Sequence, residues 1–165
     1  LAGFGFRDRL LQLVELLVAG QLDLVVCVEP PVPVTGIDTE ALLTEALAVY
    51  APPGRRIGPP STWGPWVLFP AGSHTRTLVV DELRRLGAPI DVVAESHQPE
   101  VLREMVRLGV GWTVLPTEQA EQAEQGDRPL RRSRKLTTRR LVLATRTGSV
   151  RDPAVDELAA ALAGA

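Results

Sequence analysis

Apolar residues recur along the chain in runs of changing period, and the first run is helical. Over residues 10–18 apolar side chains lie nearly all round the helix, and only Asp8, Gln12 and Glu15 align into a polar stripe. One sheet face cannot cover so much apolar surface, so this helix is expected to touch both its own sheet and a second subunit. Asp8 is placed to cap it and Gly20 to end it. Residues 21–28 then read as a turn and a strand apolar on both faces, the pattern of a parallel sheet under helices. Pro30, Pro31 and Pro33 forbid further central pairing. Residues 37–45 are open between a helical turn and an extended piece. Residues 47–51 are strand-like and are stopped by Pro52, Pro53 and Gly54.

Residues 55–65, rich in Pro, Gly and Ser, are expected to be irregular, with a short buried strand at 66–69. Ser73 is the natural cap of a helix over residues 78–86, which Gly87 closes. A strand at 89–95 follows. The next helix starts with Pro99 at its first position and Gln98 or Ser96 before it as cap. In that helix Val101, Leu102, Met105 and Val106 hold helical spacing. Gly109 then sits where a left-handed cap is needed, and Gly111 relieves the turn into an apolar strand at 112–115. A polar helix over 117–125, ended by Gly126 and Asp127, a basic cluster at 131–135 read as a solvated loop, and a last strand at 139–145 come next. Asp152 is placed as cap and Pro153 as first-turn proline of a closing helix over 154–162.

Strands and helices alternate, which predicts an α/β layer structure. Two successive helices open on small polar groups at strand ends, Ser73, His74 and Thr75 at one and Ser96, His97 and Gln98 at the next. Free backbone N–H groups at such starts can hold a carboxylate or phosphate. Taken alone, the Ser73 feature reads better as a plain cap. In an open parallel sheet, however, the carboxyl ends of strands are where ligands bind. Both histidines of the chain fall at these two starts.

Composition narrows the function classes. A chain of 165 residues, 45% hydrophobic, builds one domain or two small lobes without staples. A net charge of −2 argues against nucleic-acid binding through bulk charge. The single cysteine, Cys27, excludes an intramolecular disulfide and lies in an apolar run as a small hydrophobe. Paired carboxylates, a metal-ligand cluster and Ser/His/Asp spacing are all missing, and Cys27 with His74 or His97 is a scattered coincidence. An enzyme is therefore not expected, and neither cofactor nor metal is called for. No run approaches the roughly 18 apolar residues of a membrane span, and no signal segment opens the chain, so a soluble cytoplasmic protein is expected.

The segments in order resemble the effector-binding (substrate-binding) domain of LysR-type transcriptional regulators. The residues that carry the resemblance are 16–26, 48–53, 67–73 with Arg76, 106–116, and 140–146 with 152–155. It implies a two-lobed type 2 periplasmic-binding-protein-like α/β fold. Residues 1–46 and 147–165 would form lobe I, residues 47–51 and 140–146 the crossing strands, and residues 52–139 lobe II. Lobe I would lack its first strand-helix-strand, and the DNA-binding winged helix-turn-helix is not present. The resemblance further implies a small-molecule effector in the cleft, and the residues expected to line it, at the two helix starts and the end of the lobe I strand, are Ser73, His74, Thr75, Ser96, His97, Gln98, Glu29 and Pro30. It implies a homodimer, tetrameric at full length, that meets DNA only through the absent N-terminal domain. The rivals are an extracytoplasmic solute-binding protein of the same fold, and a domain that only dimerises.

Overall fold

The computed structural model of the chain describes residues 6–121, 130, 132–149 and 153–163. In chain order its elements begin with α1 (Phe6–Val18), β1 (Leu24–Val28), β2 (Ile37–Tyr50), β3 (Trp66–Leu68), α2 (His74–Arg85) and β4 (Val92–Glu95). They continue with α3 (Pro99–Arg107), β5 (Thr113–Pro116), α4 (Thr117–Glu121), β6 (Arg132–Arg146) and α5 (Pro153–Ala163). The chain divides into two compact units, Leu1–Glu45 with Arg139–Ala165, and Ala46–Thr138. The long strands β2 and β6 are shared by both. A four-stranded sheet has the order β1-β6-β2-β5, and β3 and β4 form a separate two-stranded sheet.

In the first unit, β1 runs antiparallel to β6, from Leu24 opposite Thr145 to Val28 opposite Leu141. The parallel pairing expected from the apolar run is thus corrected: the run reports a strand covered unevenly, with Val25 buried and Val26 42% exposed. Leu17 of α1 is fully buried with Val25 and Ala144, and Leu13, Leu22, Cys27 and Ile37 pack around them. Leu16 and Val18, which flank Leu17 on opposite sides of the helix, are exposed. Because α1 begins at Phe6, Asp8 lies inside its first turn and is not its cap.

The stretch 37–45, ambiguous in sequence, is the first part of β2. Glu45 of β2 accepts from Arg139 of β6, and Asp38 accepts from Thr147 just beyond β6. Residue numbers rise along β2 as they fall along β6 between these contacts, so the two strands are antiparallel. The basic cluster read as a loop is also corrected: Arg132 to Lys135 open β6, Arg131 lying outside the described residues. Gly126, Asp127 and Asp152, expected as helix stops and cap, also fall outside them.

The second unit has a core on each side of its strands, as period-two alternation requires. Leu47, Val49 and Val114 face Val79, Val80 and Leu83 of α2 together with Trp63, Trp66 and Trp112. Ala48, Tyr50 and Leu115 face Leu102 and Val106 of α3. The tryptophans interlock, Trp63 stacking on Trp112 with ring centroids 5.9 Å apart and meeting Trp66 edge-on at 6.5 Å. This anchors the irregular stretch that carries Trp63, whose indole N–H donates to the Gly58 carbonyl at 3.0 Å.

The return from α3 to β5 is where the backbone is most constrained. Gly109 has φ 81°, its N–H donates to Val106 and that of Val110 to Met105, which closes a Schellman cap. Two residues on, the Trp112 N–H donates to the Pro65 carbonyl at 2.7 Å and the Val67 N–H to the Trp112 carbonyl at 2.8 Å. A Cβ on Gly111 would lie 2.6 Å from the Pro65 oxygen, so only glycine lets these two backbones meet.

Gly111→Ala is therefore expected to destabilise the domain by about 2 kcal/mol or more in urea unfolding, since backbone atoms must move to admit the methyl. Thr113 is the contrasting neighbour: fully buried, its hydroxyl has no hydrogen-bond partner among the described residues. Thr113→Val removes that unpaired hydroxyl at nearly constant shape, and the same urea series should show unchanged or raised stability. A marked loss would mean that the hydroxyl has a partner.

Cys27 is part-buried in β1, and burial pushes its thiol above the ordinary cysteine value. The stability this contributes is complete below the unfolded thiol's pKa and is lost as pH rises through the folded one. Iodoacetamide at neutral pH should accordingly alkylate Cys27 more slowly in the folded domain than in urea, as followed by intact mass. Equal rates would show the thiol to be open to solvent.

Candidate functional site

Parallel neighbours end at the same edge of a sheet, and β3 and β4 are parallel neighbours. Each leads through a short turn into a helix, β3 into α2 and β4 into α3. The Ser96 N–H donates to the Leu68 carbonyl at 3.2 Å, fastening the end of one strand to the end of the other. Six of the eight residues singled out in the sequence lie at these two helix starts.

At the first start, α2 begins at His74, four residues before the expected Leu78. Threonine and β-branched positions weaken the helical signal of that turn, but Ser73 supplies the cap that makes up for it. Ser73 is buried, and its hydroxyl accepts from the Arg76 N–H at 3.0 Å. The Ser73 carbonyl accepts from the Thr77 N–H at 3.1 Å and from the Thr77 hydroxyl at 3.3 Å. Its own helix therefore engages Ser73 in both roles. His74 is half-buried and Thr75 buried in the first turn, which carries no acidic side chain.

At the second start, Gln98 occupies the cap position with extended backbone, and its side chain makes no capping bond. The Ser96 hydroxyl accepts from the Gln98 N–H at 3.1 Å instead, a local turn that shapes the approach to the helix. Pro99 holds the first helical position as expected. His97 and Gln98 are exposed and Ser96 is half-buried.

Glu29 and Pro30, the remaining two, follow β1 in the first unit. The Glu29 N–H donates to the Arg140 carbonyl at 2.9 Å, and its carboxylate accepts from Arg140 Nη1 at 3.1 Å. Both side chains are open to solvent, so the pair adds little to stability.

Two residues were missed as parts of the site, Arg76 and Glu95. The Arg76 Nη1 donates to the Phe69 carbonyl at 2.8 Å and to Glu95 Oε1 at 3.3 Å, joining the exits of β3 and β4. The signal was present in the spacing, an arginine three residues after a capping serine, but its partner lies on another strand. Chemically the two starts offer hydroxyl, amide, imidazole and backbone N–H groups. Among the described residues no His, Cys, Asp and Glu group is arranged to hold a metal ion. No described helix is long and apolar enough to cross a membrane.

Among solved structures, the chain is similar to a reduced form of OxyR from N. meningitidis, with a TM-score of 0.73 and 24% identity over 93% of this chain and 75% of that one. It is similar to the CcmR regulatory domain of Synechocystis PCC6803, in complex with 2-PG, with a TM-score of 0.74 and 19% identity over 93% of this chain and 77% of that one. It is also similar to HinK, a LysR family transcriptional regulator from Pseudomonas aeruginosa, with a TM-score of 0.72 and 22% identity over 93% of this chain and 56% of that one. At these identities the likeness shows the fold, the type 2 periplasmic-binding-protein fold of LysR regulatory domains. No curated protein matches the chain at a significant level. The family model of the LysR substrate binding domain matches residues 8–165, and with the fold it establishes that the chain belongs to that family.

Proposed function

We propose that this effector-binding domain of a LysR-type regulator senses a small anionic molecule at the helix starts of α2 and α3, and that it dimerises. One observation carries the reading: two helices start side by side after adjacent parallel strands, α2 capped by Ser73 and α3 with Gln98 at a cap position whose side chain makes no capping bond. Helix starts direct N–H groups and the positive end of the backbone dipole at whatever lies before them, so two together favour a carboxylate or phosphate. That CcmR is described with 2-PG bound to its regulatory domain supports a small ligand for the same fold.

On this reading the two compact units are the two lobes, and the domain binds without catalysing. A ligand shifts a regulator only through unequal affinity for its arrangements. Its signal would pass to DNA through a DNA-binding part of the regulator, in the cytoplasm. The surplus of apolar positions on α1, with Leu16 and Val18 exposed on either flank of the buried Leu17, supports dimerisation.

A thermal-shift screen against small carboxylates, phosphate esters, amino acids and aromatic acids tests this, with light scattering on the same sample. One compound should raise the melting temperature with concentration, reaching about 2.7 kcal/mol of stabilisation at a hundredfold excess over Kd. Gln98→Ala, which removes no capping bond, should leave the unliganded melt unchanged and weaken that compound roughly tenfold. A folded dimer that answers to none of these compounds would instead be a dimerisation module.

A further inference from the structure

The proposed site consists of two segments contributed by different strands, and one side chain spans both. Arg76 donates through Nη1 to the Phe69 carbonyl at 2.8 Å, where β3 passes into the turn before Ser73. The same nitrogen meets Glu95 Oε1 at 3.3 Å, at the last residue of β4 and directly before Ser96. Its backbone N–H, meanwhile, donates to the Ser73 hydroxyl. The Arg76 side chain is 13% exposed and that of Glu95 40%, so the cation is largely shielded while its partner reaches solvent.

We propose that Arg76 is a positioning residue, holding the segments at Ser73 and Ser96 as one edge and neutralising the carboxylate directly before Ser96. The proposal rests on the binding reading above, but its mechanical content can be tested without any ligand. A guanidinium suits the task because the N–H groups of its Nη1, which makes both contacts, lie in a fixed plane, whereas an ammonium offers a point charge on a flexible stem. Neutralisation matters because Glu95 would otherwise set a negative charge beside the group expected to receive an anion. Without Arg76, the two segments stay linked through the pairing of β3 with β4 and the Ser96 N–H on the Leu68 carbonyl.

Amide hydrogen exchange on the unliganded domain reads this directly. The reporters are Ser73 and Arg76 on one segment and Ser96 and Gln98 on the other, all hydrogen-bonded amides. Glu95→Ala leaves the α2 segment chemically intact, yet it should speed exchange at Ser73 and Arg76 roughly threefold to tenfold. Arg76→Ala should speed Ser96 and Gln98 by a similar factor, and the double variant should add nothing beyond the larger single effect. Glu95→Gln, which still accepts a hydrogen bond, should recover part of the protection. Faster exchange confined to the substituted segment, or single effects that add in the double variant, would overturn the proposal. Because no ligand enters, these results stand apart from those of the thermal-shift screen, and the exposed Glu95 variants keep the test available if Arg76→Ala does not fold.

Discussion

The second unit depends on one close backbone approach, the Trp112 N–H on the Pro65 carbonyl answered by the Val67 N–H on the Trp112 carbonyl. These bonds set the start of β3 against the entry to β5, and they form only because Gly111 has no side chain. From that contact the indoles of Trp63, Trp66 and Trp112 are brought into one cluster, and α2 closes over them. A buried backbone polar group without a partner is costly, so each bond both holds the strands and removes a penalty. Gly109 acts one step earlier, turning the chain out of α3 at the place from which it can reach Pro65.

The same backbone logic shapes the candidate site, where it creates a competition. A helix start has N–H groups to satisfy, and the cheapest partner is a neighbouring serine. Ser73 takes that role fully, whereas at α3 the side chain at the cap position makes no such bond. The two starts are therefore unequal, one closed by its own cap and the other less so. Fastening them together through Arg76 makes the less satisfied start answerable to the rigid one.

How much of this was legible in the sequence follows from the range of each interaction. Capping by Ser73, the first-turn Pro99 and the turn at Gly109 depend on residues within a few positions, and all were readable. The pairing of β1 was not, because an apolar run such as residues 24–28 marks a strand without giving its direction or how evenly its faces are covered. The extent of β2 was hidden for another reason: its first part is mostly exposed and mixed in character, and its last four residues are buried on both faces. The link between Arg76 and Glu95 was invisible because it is set by the parallel neighbouring of β3 and β4, which no local spacing encodes.

The long strands show what a local pattern leaves open and what resolves it. In a two-faced buried stretch such as the end of β2, a slip of one residue exchanges one apolar side chain for another, so burial alone fixes the register weakly. In the exposed half there is even less hydrophobic content to choose between registers. Charge does the choosing there. Glu45 accepts from Arg139, both side chains 12% exposed, and Thr147 donates to Asp38 near the other end of the same pairing. Shifting either strand by one residue would turn the Glu45 carboxylate and the Arg139 guanidinium to opposite faces, leaving two largely shielded charges unpaired. An ion pair of this kind adds little against well-packed apolar residues, but losing it by misregister costs several kcal/mol, ~3 to 5 by analogy with broken buried pairs. Its contribution is thus to exclude wrong pairings, and the correct one then carries β6 from the second unit to its place beside β1.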